Sequence, residues 1–209
     1  KTNNSLSDLV VIRLQGSIWK GQGEIKYRKF PVFIGAWKLS PFHLLALTAK
    51  SYIKIKTDGL NAEFHLEINR KGGSINSFNA IVKDHYLNEV TIPYGLDFSG
   101  EVTLLNGRLG FDQNWLTEIE GELTWDGGIV HIQTPDKIHT VNLPPLLGHL
   151  SMEKTILKLE VSESGHTMMD IHIRPDGWAK VAIHYSFMRL ANLPLLIISE
   201  AGEDPAIVL

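Results

Sequence analysis

Apolar and polar residues alternate with a period of two along most of the chain, a pattern that fits a half-buried β-strand and no other regular element. In NAEFHLEIN, Phe64, Leu66 and Ile68 take one side while Glu63, His65 and Glu67 take the other. MMDIHIR sets Met169, Ile171 and Ile173 against Asp170, His172 and Arg174. WAKVAIHYSF sends Ala179, Val181, Ile183, Tyr185 and Phe187 one way, and Trp178, Lys180, Ala182, His184 and Ser186 the other. Turn signals separate the runs: Asp58-Gly59, Asn106-Gly107, Asp126-Gly127-Gly128 and Pro175-Asp176-Gly177. Two segments read as helical, SPFHLLALTAK from Ser40, with a serine to cap it and Pro41 in its first turn, and SFMRLAN. The expectation is a mainly β, antiparallel chain of hairpins with one or two short helices.

The chain also repeats itself. LQGSIWKGQGEIKY (Leu14–Tyr27) and IEGELTWDGGIVHI (Ile119–Ile132) share the order glycine, tryptophan, glycine-bearing turn and strand. At a shift of about 104 residues, Leu39 falls on Leu143, Pro41 on Pro145 and Lys54 on Lys158. A few extra residues place His65 on His172, and Asn88 falls on Asn192. This order reads as a tandem duplication within a single module over 1–209, with repeats at about 10–97 and 115–200 and a joint at 98–114. Two such copies form one curved sheet or two packed sheets, each covering the edge and apolar face of the other. Gly16 and Gly121 are expected where a strand bends or another backbone comes close, and Trp19 and Trp125 where large area is buried at matching places.

Composition limits the function. Apolar residues make up 44% and charged residues 21%, enough for an ordinary core. The net charge of −3, with basic residues scattered, argues against nucleic acid as the partner. The absence of cysteine removes disulfides, thiol nucleophiles and thiolate metal sites. No run reaches the ~18 apolar residues of a membrane span; the best, Leu190–Ile198, is short and carries Asn192 and Pro194. The chain opens on Lys1. The expectation is an excised domain whose full-length form is anchored by an N-terminal segment.

Five stretches carry a family resemblance: LQGSIWKGQG (Leu14–Gly23), IGAWKLSPFHLL (Ile34–Leu45), EIEGELTWDGG (Glu118–Gly128), NLPPLLGHL (Asn142–Leu150) and RPDGWAKVAI (Arg174–Ile183). Together they resemble protein N of the bacterial type II secretion system, from about Val10 onwards. The resemblance implies an inner-membrane protein with one N-terminal span and a periplasmic β-rich domain. It implies an accessory part in a machine that exports folded proteins through an outer-membrane secretin, with the inner-membrane platform or the secretin as partners. It brings no catalytic residues.

The chemical motifs agree. GQGEIK (Gly21–Lys26) begins like a dinucleotide loop, but Lys26 stands where the third glycine belongs and a strand follows. The nine histidines are singletons, with His65, His172 and His184 on polar strand positions. Glu118, Glu120 and Glu122 sit roughly 6.6 Å apart on one strand face, near the carboxylate separation of inverting glycosidases. They line one polar face instead of flanking a cleft, so they read as a solvated face that discourages edge pairing. Asn3-Asn4-Ser5 matches a glycosylation sequon without meaning in a bacterium. No catalytic, metal or cofactor residue is expected, and no cofactor.

The candidate contact residues are the leucine-proline corners, Leu39, Pro41 and Phe42 in one repeat and Leu143, Pro144, Pro145 and Leu146 in the other. Proline removes ladder donors, so these segments belong at an edge or end of the sheet. Their apolar groups cap the core or form a docking surface for a secretion partner. An alternative function is that of a periplasmic carrier of lipid or another apolar ligand, because a curved sheet with an apolar concave face can hold acyl chains.

Overall fold

The computed structural model describes residues 9–27, 32–44, 47–133 and 137–191. The Asn3-Asn4-Ser5 sequon, Asn192 and the apolar run past Ala191 lie outside them.

The alternating runs become strands. Residues with period-two polarity pair as a meander of β1 (Leu9–Gly16), β2 (Lys20–Tyr27), β3 (Phe33–Leu39), β4 (Ala49–Lys56), β5 (Leu60–Asn69) and β6 (Gly72–Val82). A short helix, α1 (Pro41–Leu44), lies between β3 and β4, and α2 (Asp84–Thr91) follows β6. After β7 (Leu96–Phe98) come β8 (Val102–Asp112), β9 (Leu116–Trp125), β10 (Gly128–Gln133) and β11 (Ile138–Leu143). The chain then runs through β12 (Leu146–Glu153), β13 (Ile156–Glu163), β14 (His166–Ile173), β15 (Ala179–Ile183) and α3 (Tyr185–Leu190). Twelve strands form one antiparallel sheet in the order β1-β2-β3-β4-β5-β6-β8-β9-β12-β13-β14-β15, and β11-β10-β7 form a second, three-stranded sheet. The large sheet does not close into a barrel.

Bulges keep the alternation in phase where the sequence breaks it. Ile75 and Phe78 are three apart, yet the register shift between them leaves both on the face of Ala80 and Val82. Ser77 absorbs the extra residue at φ 51°. Opposite it, Asn106 does the same in β8 at φ 52°, and its N–H donates to Asn79 Oδ1 over 2.9 Å. Two adjacent bulged strands increase local twist and bend the sheet.

Helix expectations need correction. Among the described residues, the segment from Ser40 forms α1 over Pro41–Leu44, and its end is strand: β4 begins at Ala49 and pairs with Ile68, so strand pairing overrides local propensity there. The strand read through Trp178–Phe187 ends at Ile183, and Tyr185 opens α3. Helix α2 was not foreseen.

The proposed repeats share an element order. Trp37-Lys38-Leu39 ends β3 and Val141-Asn142-Leu143 ends β11, each ahead of proline. A three-strand meander and a helix close each half, β4-β5-β6-α2 and β13-β14-β15-α3. The helix entries match closely: Lys83 N–H donates to Gly59 O over 2.8 Å, and His184 N–H to Met168 O over 2.9 Å. Three residues on, Tyr86 and Phe187 are both buried. The halves differ after the corner, where the first forms α1 and the second forms β12, and they differ in their hairpins. Hairpin β2–β3 stays in the large sheet, whereas β10–β11 leaves it to pair with β7, and β9 pairs directly with β12. Gly127 and Gly128, at φ 84° and 138°, turn the chain out of the sheet there.

The core has two parts. Val130, Leu143, Met168, Phe187 and Ala191 pack the small sheet and α3 against one end of the large sheet, with Trp125 and Phe98 at their margin. Ala62, Ala80 and Leu104 form the second part, midway across the large sheet. Trp19, expected to be buried, is 43% exposed.

Candidate functional site: an apolar sheet face and two proline corners

Pairing partners in an antiparallel sheet share a face, so the register sorts every side chain. One row runs Leu60, Val82, Val102, Trp125 and Leu146 across β5, β6, β8, β9 and β12. A second runs Ile55, Ala62, Ala80, Leu104 and Leu123, and a third Leu66, Ile75, Leu109 and Ile119. The same face continues through Leu150, Leu159, Ile171 and Val181. Among its described residues outside the bulges, the polar side chains are Ser51 and, beside the β13–β14 turn, Glu163 and His166. Its indoles are satisfied: Trp37 Nε1 donates to Ile18 O over 3.2 Å and Trp125 Nε1 to Ser99 O over 3.0 Å.

Among the described residues, the face is capped at one end. Helix α2 sets Tyr86 edge-on to Phe33, with ring centroids 6.4 Å apart, and the small sheet covers the neighbourhood of Trp125. Asn88 ties α2 to β7, donating to Asp97 Oδ1 over 2.6 Å and accepting from Phe98 N–H over 2.8 Å. Away from this cap, large side chains such as Phe64, Leu109, Ile119 and Ile171 stay half-buried. A core under a second layer would bury the middle of such a face completely. Two glycines on β2 and β3 behave differently. At Gly21 a Cβ would strike the Trp37 ring, whereas at Gly35 it would meet open space.

The opposite face is charged. Lys50 pairs with Glu67 at 2.8 Å and Lys54 with Glu63 at 3.2 Å, and Tyr52 donates to Glu63 over 2.6 Å. The Tyr52 hydroxyl and the Lys54 ammonium hold the Glu63 carboxyl below its ordinary value. Glu118, Glu120 and Glu122 stand exposed on this face, with Arg108 4.0 Å from Glu120. Apolar inside and charged outside is the reverse of a membrane-spanning barrel, whose lipid-facing surface is apolar.

The corners divide by burial. Leu143 and Leu146 are 5% and 8% exposed and belong to the packed end of the sheet, while Pro144 is half-buried and Pro145 exposed. Pro145 and Leu146, with Trp125, Asp126, Glu101 and Leu147, line a groove of about 370 Å³. Leu147 is 56% exposed beside them. In the other half Leu39 is half-buried and Pro41 exposed, and α1 begins at Pro41; the Phe42 side chain lies outside what is described. The structure therefore does not bring the two corners into one surface: Pro41 follows β3, and Pro145 lies by β9 and β12.

A polar cluster escaped sequence reasoning. His184 Nε2 lies 2.7 Å from Asp170 Oδ2, and Lys158 Nζ lies 3.4 Å from Asp170 Oδ1 and 3.1 Å from Glu160. Burial opposes charge on Asp170, but the His184 ring and the Lys158 ammonium outweigh it and hold the carboxyl below its ordinary value. Asp170 and His184 lie on either side of the β14–β15 turn, so no local spacing announces them. His184 stands at the start of α3 and Asp170 in β14, so their contact anchors that helix.

Among the described residues, no group of His, Asp and Glu stands together as a metal site, and no helix is long and apolar enough to cross a membrane. Neither a curated protein nor a solved structure matches the chain significantly. A family model described as "Type II secretion system (T2SS), protein N" matches residues 8–191.

Proposed function

The chain belongs to the type II secretion system protein N family, and we infer that it serves that system as a non-enzymatic accessory part in the periplasm. The observation that carries this reading is the extent of the match: residues 8–191 take in every described strand and helix. In this reading the repeats over 10–97 and 115–200 are duplicated copies, and the inner-membrane platform or the secretin docks at a leucine-proline corner. Pro145 and Leu147 form the accessible part of the second corner, and Pro41 that of the first. Photocrosslinkers placed at Leu147 and Pro41 in a secreting bacterium test the reading. The expected products join the chain to a platform component or the secretin, and deletion of the chain lowers export of folded substrates. Normal export without the chain, together with no crosslink to any secretion component, overturns it.

A further inference from the structure

We propose that this chain forms a two-fold dimer by antiparallel pairing of β1 with β1 of a second copy, so that the large sheet continues across both. Among the described residues β1 pairs with β2 alone and ends the sheet. The backbone N–H and C=O groups along its free side therefore ask for a strand. Val10, Val11, Ile12 and Leu14 are all exposed on it. The other end of the sheet is guarded. There β15 has five residues and carries Lys180, features by which edge strands resist pairing.

A bulge in β1 selects the occupant. Val11 stands opposite Ile25 and Arg13 opposite Glu24, so Ile12 is an extra residue. A regular strand laid on this edge would leave that residue without a partner, as β2 does. A second β1 carries the same extra residue. The register through β2, β3 and β4 puts Val11 and Leu14 on the apolar face, and Val10, Arg13 and Gln15 on the charged face. Outwards from the Ile12–Arg13 bulge the order is the same in both directions, apolar face and then charged face. Antiparallel pairing about that point sets Val10 against the partner's Gln15, Val11 against the partner's Leu14 and Ile12 against the partner's Arg13. Faces then match on both sides of the bulge. A shift of one residue either way opposes apolar-face to charged-face side chains.

The side chains suit this register. Val11 and the partner's Leu14 meet once on each side of the axis, as aliphatic cross-strand pairs. Ile12 lies along the aliphatic stem of the partner's Arg13. Each Arg13 keeps Glu24 of its own β2 opposite it as a countercharge. One short strand from each copy makes a contact at the low end of specific interfaces, so the dimer depends on concentration.

Analytical ultracentrifugation of the purified chain should show monomer passing to dimer as concentration rises to roughly 100 µM. Val11 is exposed, so Val11→Lys should leave Tm unchanged. It should raise the dissociation constant roughly ten-fold by burying an ammonium against the partner's Leu14. Val11→Lys with Leu14→Glu should restore the dimer by setting opposite charges across the axis. The chain has no cysteine, so disulfides report the register. Val11→Cys with Leu14→Cys should join two copies on oxidation. Val11→Cys alone should not, because the two positions stand roughly 10 Å apart, beyond disulfide reach. Monomer at every concentration overturns the proposal. So does a dimer indifferent to Val11→Lys, or one that Val11→Cys alone crosslinks as well as the double substitution.

Discussion

His184 Nε2 and Asp170 Oδ2 stand 2.7 Å apart, joining the residue that precedes α3 to the middle of β14. Asp170 is largely buried and also faces Lys158, so removing its carboxylate leaves Lys158 with Glu160 as its remaining carboxylate partner and frees the helix entry. Asp170→Ala should cost about 2–4 kcal/mol in urea unfolding at neutral pH. The folded-state value lies below the ordinary one, so this contribution is present above the unfolded value near 3.9 and fades as pH falls through the folded one. The parent should lose stability faster than the variant between about pH 5 and pH 2. Parallel curves over that window would remove Asp170 as the anchor.

Tyr86 gives the opposite case. Its hydroxyl is buried without a hydrogen-bond partner, and desolvation, helped by Glu89, pushes its value up to about 12. A raised value means stability that is complete below the unfolded value near 10 and declines as pH rises towards the folded one. Tyr86→Phe should abolish that alkaline decline and, by removing an orphan hydroxyl, raise stability by about 1 kcal/mol at pH 7. A loss on Tyr86→Phe would mean that the hydroxyl has a partner in solution.

Neighbouring leucines at the second corner separate packing from docking. Leu146 is 8% exposed, and Leu146→Ser should cost about 2–5 kcal/mol. Leu147 is 56% exposed on the outer face, and Leu147→Ser should leave stability within about 0.5 kcal/mol. If the corner docks a secretion component, Leu147→Ser weakens pull-down while Tm holds. Unimpaired pull-down by a stable Leu147→Ser variant excludes Leu147 from the contact.

The strand architecture was legible because Phe64, Leu66 and Ile68 alternate cleanly, as do Met169, Ile171 and Ile173. Where the chain spends an extra residue, as at Ser77 and Asn106, the alternation breaks and one-dimensional pattern loses the face. Helix α2 was hidden because its entry carries no local signature: Lys83 stands at the N-cap and makes no side-chain cap hydrogen bond. The corners were recognisable as sheet ends through their prolines. Their burial was not, since Leu143 is covered by elements distant in sequence, notably Met168 of β14 and Phe187 of α3. The apolar face itself was visible strand by strand, but its incomplete cover depends on where α2, α3 and the small sheet come to rest.

The glycines of TWDGG stand where the chain leaves the large sheet for β10 and β11. At Gly127 the backbone is left-handed, with φ 84°, and a Cβ would lie 2.8 Å from Leu143 O and from the Pro144–Pro145 peptide. The leucine-proline corner thus packs directly on this turn, and together they steer β10 out of the large sheet. Gly177 has nearly the same φ, 86°, but a Cβ there would meet nothing within 4 Å. Comparing the two separates backbone strain from crowding. Gly177→Ala should cost about 1–2 kcal/mol, the left-handed penalty alone. Gly127→Ala should add the overpacking cost and lose about 3 kcal/mol or more. It should also increase hydrogen exchange across β10 and β11 while β4 and β5 stay protected, because the damage falls on the small sheet. Equal losses for the two substitutions, with unchanged exchange in β10, would show that the corner does not hold the turn.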